Sequence, residues 1–359
     1  MKSIQTTAPG KLYVAGEYAV VEPGYSAIIT AIDLFFHLEI RETKNPHGSI
    51  YSKGFTETPV LWERTEGQVK LSEDSVELKY MVSAIRTVEA YLKQQDIELR
   101  TYDIIASSDL DSPTGRKLGL GSSGAVTVAT VRGLLQYYEV EASDLLVYKL
   151  SVVSQIRLAV NSSFGDLAAI TYTGWVRYTS FDQEVIFREL QQTSIKEVVE
   201  MDWPHLNIQR LDVADDVRYL VGWTGSPASS NNLVGDVQRK TRKGENNYPH
   251  FLKESKASVE ALTEALQTNE VDQIKAAVQR NRQALLNMGL QTNVLIETPK
   301  LTELCEIAAQ HGAAAKTSGA GGGDSGIAFV FDEEKKNALI TAWENVGITH
   351  LPLSVYAKD

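Results

Sequence analysis

The sequence predicts an α+β fold in two domains, residues 1–215 and 216–359. Three observations lead there. The chain has 359 residues, 43% hydrophobic and 23% charged, which is ordinary globular composition and long enough for two cores. Strand and helix patterns alternate along both halves. Between the halves, residues 181–215 are mixed, hold Pro204 and a charged run, and read as a junction.

Each element has its own signal. YSAIITAI and LFFHLEIRE are rich in β-branched and aromatic residues and predict strands, with a break near Asp33. Residues 42–75 are polar and turn-rich, with short strand-like pieces in SIYSKGF and PVLWER. Met81, Ile85, Val88 and Leu92 recur at helical spacing and predict an amphipathic helix. TYDIIASSDL reads as a strand, SDLLVYKLSVVSQIRLAV as a helix and AAITYTGWVRYTSF as a strand. In the second half, RYLVGWTGSPASS is a strand feeding a Ser/Gly turn, and residues 248–311 are mostly helical. AAAKTSGAGGGDSGIAFVF reads as strand, Gly loop and strand, before a last helix (EEKKNALITAWENVG) and a last strand (THLPLSVYAK).

Charge and cysteine content exclude several classes. The formal net charge is −11, from 46 acids against 35 bases, which disfavours a broad nucleic-acid-binding surface. A few cations focused in a cleft still suffice for an anionic small ligand. Cys305 is the single cysteine, so there is no intramolecular disulfide and no cysteine metal cage. This fits a reducing compartment and a cytoplasmic protein. The N-terminus has no apolar signal core, and no stretch reaches the ~20 apolar residues of a membrane span. The six histidines show no metal spacing.

Four stretches carry candidate chemistry. RKLGLGSSGAVTVATVRGLL contains Gly119, Gly121 and Gly124. A dinucleotide fingerprint needs a strand running straight into the first Gly, and here DSPTGRK intervenes. No Walker A ending is present either. What remains is a Gly/Ser loop opening a helix at Ser122 and Ser123. Exposed N–H groups and the helix dipole make such a start an anion site, with Lys117 as a point charge and a serine hydroxyl able to meet Mg²⁺. A plain capped core helix would need neither three glycines nor the lysine. TTAPGKLYVAGEYAVVEPG fixes a turn that presents Lys11, with Glu17 and Tyr18 more often structural. KTSGAGGGDSGIAF exposes backbone from Gly319 to Asp324. NSSFGDLAA puts Asp166 in a small-residue turn before an apolar strand, and GWTGSPASSNNLV offers Ser226, Ser229 and Ser230 as helix caps or phosphate donors.

APGKLYVAGEYAVV, KLGLGSSGAVTVAT and KTSGAGGGDSGIAF, in that order, resemble the three motifs of the GHMP kinases over nearly the whole chain. Lys117 before LGLGSSGAV, the Ser-rich GWTGSPASSNNLV and GAGGGD resemble the bacterial phosphomevalonate kinase branch of that superfamily. The resemblance implies a domain like the second domain of ribosomal protein S5, then a ferredoxin-like domain, with ATP and acceptor meeting between them. It implies that the γ-phosphoryl of ATP moves onto the phosphate of 5-phosphomevalonate, in a monomer or homodimer that binds small molecules and neither nucleic acid nor membrane. Lys11, Lys117 and Asp166 are then the catalytic residues. Lys117, Leu118, Gly119, Leu120, Gly121, Ser122, Ser123 and Gly124 hold ATP. Mg²⁺ falls to Ser122 or Ser123 with Asp166. The acceptor falls to Lys11, Tyr18, Ser163, Ser226, Ser229, Ser230 and the loop of Gly321, Gly322, Gly323 and Asp324. NSSFGDLAA matches its family element more loosely than the three motifs do, so Asp166 either ligates the metal or orients the acceptor. Polar and aromatic residues of 42–65 are candidates for the adenine pocket. The alternatives are a hydroxyl-phosphorylating relative such as mevalonate kinase, diphosphomevalonate decarboxylase, and a non-catalytic ATP-binding sensor.

Overall fold

The computed structural model describes residues 2–110, 118–160, 162–214, 216–225, 230–241 and 248–358. The α+β expectation holds, with one sheet domain at each end of the chain. The first sheet has eight strands: β1 Ser3–Ala15, β2 Ser26–Glu42, β3 Gly48–Ser52, β4 Val60–Thr65, β5 Gln68–Leu71, β6 Tyr102–Ser108, β7 Trp175–Thr179 and β8 Asn207–Leu211. Their order is β5-β4-β3-β6-β2-β7-β8, with β1 also paired to β2. Helices α1 Lys79–Lys93, α2 Ser122–Tyr137 and α4 Gly165–Tyr172 pack with this sheet and α3 Asp144–Ile156 packs on those three helices, followed by the short α5 Gln183–Gln192 and α6 Ile195–Glu200. Met81, Ile85, Val88 and Leu92 are all buried, so the helical spacing of α1 does point its apolar face inward.

The second sheet runs β10 Ala314–Thr317, β11 Ser325–Phe329, β9 Tyr219–Trp223 and β12 Thr349–Leu351, antiparallel throughout. Numbered within the domain, that order is 2-3-1-4, the arrangement of a ferredoxin-like unit. Helices α7 Ser230–Thr241, α8 Tyr248–Thr268, α9 Val271–Thr292, α10 Pro299–Gln310 and α11 Glu333–Asn345 belong to this half. Leu304, Leu339, Trp343 and Ile348 form a compact core between α10, α11 and the sheet. An aromatic cluster joins the two sheets. Trp175 of β7 meets Tyr219 of β9 edge-on at 5.7 Å, and Tyr219 meets Phe329 of β11 at the same distance.

Four readings of the sequence change. The strand β2 does not break at Asp33. The backbone N–H of Asp33 donates to Ser354 O, and its carboxylate accepts from Ser354 N at 2.8 Å, so the C-terminal segment meets this polar residue in mid-strand. APGK is not a turn ahead of a strand but lies within β1, where the register to β2 shifts between Pro9 and Gly10. Proline has no N–H for the ladder, and a bulge absorbs that. GDLAAITY forms α4 rather than strand: its β-branched residues suit either state, and burial against α2, α3 and the sheet decides for helix. The mixed segment 181–215 is largely built into the first domain, since β8 pairs with β7 and α5 and α6 carry their own Asp182 and Ser194 caps.

Candidate active site

A cleft of about 470 Å³ lies where the Gly/Ser loop, the end of β1, the first turn of α4 and the β10–β11 loop converge. The loop owes its path to backbone chemistry. Gly119 and Gly121 take φ of +73° and +88°, and a Cβ would stand 2.7 Å from Asp324 Oδ2 at the first and 2.8 Å from Lys11 Cγ at the second. Only glycine meets both conditions. Leu118 and Leu120 anchor the loop in the core. Gly121 is the N-cap of α2 and has no side chain to cap it, so among the described residues the first N–H groups of the helix carry no side-chain cap. Ser122 and Ser123 follow at the cleft wall.

Lys11 crosses beneath this loop. Its backbone N–H donates to Leu120 O at 2.8 Å, and its Nζ donates to Gly119 O at 2.9 Å. Burial pulls its pKa below the ordinary lysine value, against the opposing fields of Asp166 and Asp324. Asp166 sits in the first turn of α4, where the helix dipole favours a carboxylate. Its Oδ2 lies 3.1 Å from where a Cβ on Gly124 would stand, so it faces the start of α2. Its Oδ1 is buried and has no hydrogen-bond partner among the described residues. The turn that aims it is held by tyrosines. Ser163 Oγ shares a 3.0 Å hydrogen bond with the Tyr13 hydroxyl, and Tyr178 donates to Ser163 O at 2.6 Å.

The far wall comes from the second domain. Lys316 Nζ donates to Glu17 Oε1 at 2.5 Å and to Thr317 O at 2.7 Å, with the two side chains 0% and 2% exposed. Glu17 Oε1 also accepts from Gly319 N at 3.3 Å. Tyr18, at φ +63°, donates its hydroxyl to Ala320 O, and Ser318 donates to Tyr13 O at 2.8 Å. A tyrosine held at positive φ is strained, and the contacts on both sides of it maintain that conformation.

Of the residues singled out by sequence, the structure brings Lys11, Tyr18, Gly119, Leu120, Gly121, Ser122, Ser123, Ser163, Asp166 and Asp324 to the cleft. Gly124 stands behind it against Asp166, and Leu118 serves as an anchor. Gly321, Gly322 and Gly323 do not line it: Gly322 donates to Ile296 O at 2.7 Å, and Gly321 packs on the same carbonyl, so this part of the loop turns away. Residues 42–65 do not line it either. Lys117, Ser226 and Ser229 lie outside the described residues, as does the side chain of Ser230, the first residue of α7. Sequence reasoning missed Tyr13, Tyr80, Ser162 and Val234 as lining residues and treated Glu17 as structural. Tyr80 had no signal beyond being a polar position at the start of α1, yet its hydroxyl interacts with Ser123.

Comparison with known proteins follows the same outline. The family model for the N-terminal domain of GHMP kinases matches residues 79–174, and that for the C-terminal domain matches residues 262–349. Phosphomevalonate kinase of Streptomyces sp. (strain CL190) is 34% identical over 98% of this chain and 97% of its own. The solved structure of Streptococcus pneumoniae phosphomevalonate kinase in complex with phosphomevalonate and AMPPNP is similar at a TM-score of 0.87 and 30% identity, covering 98% of this chain and all of that one. A Lin0012 protein from Listeria innocua is similar at 0.93 and 35%, covering 99% of this chain and 98% of its own.

Two predictions follow from the charges. Lys316→Met strands the buried Glu17 and should cost about 3–5 kcal/mol in denaturant unfolding, with most of it recovered in the Glu17→Gln/Lys316→Met double variant. A single-variant loss below about 1 kcal/mol would contradict the pair's role. Burial, opposed by Lys11, holds the Asp166 carboxyl above its ordinary value of 3.8. The ionised form is therefore penalised in the fold, a penalty absent below that ordinary value and complete once pH has risen through the raised one. Ligand-free Asp166→Asn should thus unfold later than the parent at pH 7, and the gap should close as pH falls below about 4.

Proposed function

The chain belongs to the GHMP kinases, and from that premise we propose that its cleft joins the γ-phosphoryl of ATP to the phosphate of (R)-5-phosphomevalonate, giving 5-diphosphomevalonate and ADP in the mevalonate pathway. The full-length likeness to phosphomevalonate kinases carries this reading. We take residues 1–215 as the nucleotide-holding domain and residues 216–359 as its partner, in a cytoplasmic enzyme whose single cysteine fits that compartment. Among the described residues no helix is long and apolar enough to cross a membrane.

The acceptor sets the chemistry. A hydroxyl must lose a proton on attack, and a base helps. A phosphate monoester has its second pKa near ~6, so at neutral pH its oxygen is already a nucleophile. The obstacle is bringing two polyanions into contact, and catalysis rests on positioning and charge neutralisation. Lys11, beneath the loop and between Asp166 and Asp324, bridges the acceptor phosphate and the ATP phosphates. Lys117 is the second bridging cation on the sequence pattern. The N–H groups from Gly119 to Gly124 hold the triphosphate, and Ser122 and Ser123 extend that hold. Tyr18, Ser163 and Asp324 line the acceptor's side, joined by Ser226, Ser229 and Ser230 from the Ser-rich element. Val234, one turn into α7, lines the cleft and brings that element's helix to it.

The donor set suits Mg²⁺, which takes oxygen ligands and one or two carboxylates beside substrate phosphates. Asp166 offers a buried Oδ1 without a partner among the described residues, and Ser122 and Ser123 offer hydroxyls in the same cleft. When bound there, the ion would neutralise charge on the β- and γ-phosphates. Asp166 needs no role as a base. It holds the metal side and steadies Lys11.

ADP release with Mg-ATP should be measured against 5-phosphomevalonate, mevalonate, diphosphomevalonate, homoserine and galactose. Turnover with 5-phosphomevalonate alone is expected. Turnover with mevalonate instead would overturn the acceptor assignment and demand a base.

A further inference from the structure

A second cavity, of about 250 Å³, opens where α8 of the second domain lies over the first domain's sheet. It is separate from the cleft described above and shares none of its lining residues. Its walls hold a cation from each domain, Arg177 on β7 and Lys256 on α8. Ser26 and Thr179, hydrogen-bonded to each other at 2.8 Å, add two hydroxyls. Glu260 is the one carboxylate on its wall, 4.0 Å from Lys256 on the neighbouring helical turn.

Arg177 is the unusual member. It is paired in register with Ile28 of β2 and Gln209 of β8, so it rises from the middle of three hydrogen-bonded strands. Its Nε is buried and has no hydrogen-bond partner among the described residues. A guanidinium is always charged, and a part-buried charge without a counter-ion is costly. Elsewhere the chain pairs such arginines closely: Arg64 with Glu89 and Arg282 with Glu297, both at 2.6 Å. Among the described residues Arg177 pairs with no carboxylate and faces the cavity instead.

We propose that this cavity binds a compact phosphate group between Arg177 and Lys256. The guanidinium fork matches a tetrahedral oxyanion, Lys256 closes from the facing helix, and the hydroxyls of Ser26 and Thr179 complete the donor set. The volume, about 250 Å³, admits a phosphate with a short stem. Glu260 at the wall selects further against polyphosphates by repulsion and favours a ligand that carries a hydroxyl donor. Because its two cations come from different domains, the bound anion ties α8 to the first sheet.

Calorimetric titration of the full chain with inorganic phosphate, and separately with methyl phosphate, tests this in four forms: wild type, Lys11→Met, Arg177→Gln and Lys256→Gln. Saturable binding should persist in Lys11→Met, which removes a cation of the other cleft. It should weaken about 10–100-fold in Arg177→Gln, the worth of a charge-assisted hydrogen bond or two. Lys256 is 63% exposed, so Lys256→Gln keeps the fold, and it should weaken binding as well even if Arg177→Gln proves unstable. Tighter binding of methyl phosphate identifies a monoester as the ligand, and tighter binding of inorganic phosphate identifies the free ion. Binding lost in Lys11→Met but kept in Lys256→Gln, or no saturable binding in the wild type, would overturn the proposal.

Discussion

The buried pair of Glu17 and Lys316 is the constraint on which the site depends. It joins residues 299 apart in sequence, one just after β1 and one on β10. Two charges removed from water are costly unless they meet with good geometry and further hydrogen bonds. Here Lys316 also donates to Thr317 O, and Glu17 also accepts from Gly319 N, so the pair fixes the backbone where β10 leaves for the glycine loop. From that point the loop carries Asp324 back over Gly119 and toward Lys11. A hydrophobic pair of similar volume would fold as well, but it would not set the register of the two domains by hydrogen bonds.

Within the frame so fixed, charge is concentrated at one place. Lys11 lies between two carboxylates and under an open helix start, in a chain whose net charge is −11. Phosphates are drawn to such a point by focused local fields rather than by the global one. Asp166 is tuned the other way, its carboxyl held high by burial and steadied by Lys11. Each group makes the other tolerable, and bound phosphates and a cation would complete the neutralisation.

Much of this was legible in sequence where the chemistry is local. The loop of Gly119 and Gly121, the lysine of APGK and the glycine hairpin each depend on backbone freedom or on one side chain, and short motifs record that. Their convergence on one cleft is not local and entered through the resemblance of their order to a family. Other features left no trace. The helix carrying Asp166 reads as strand because AAITYT is β-branched, and only its tertiary burial makes it helical. Gly321 and Gly322 belong to the right loop but turn toward Ile296, a contact across 25 residues that composition does not encode. Tyr80 and the Glu17–Lys316 pair owe their place to packing between distant segments.

The acceptor phosphate supplies its own nucleophile, and the enzyme contributes cations, not a base. The pH dependence of kcat/KM, measured with 5-phosphomevalonate and with its thiophosphate analogue, tests this most directly. An acid limb set by the acceptor's second ionisation is expected, near ~6 for the phosphate and displaced to lower pH for the more acidic thiophosphate. An acid limb that stays in place when the acceptor is changed, and that disappears in Asp166→Asn, would assign the ionisation to an enzyme base and overturn the base-free mechanism.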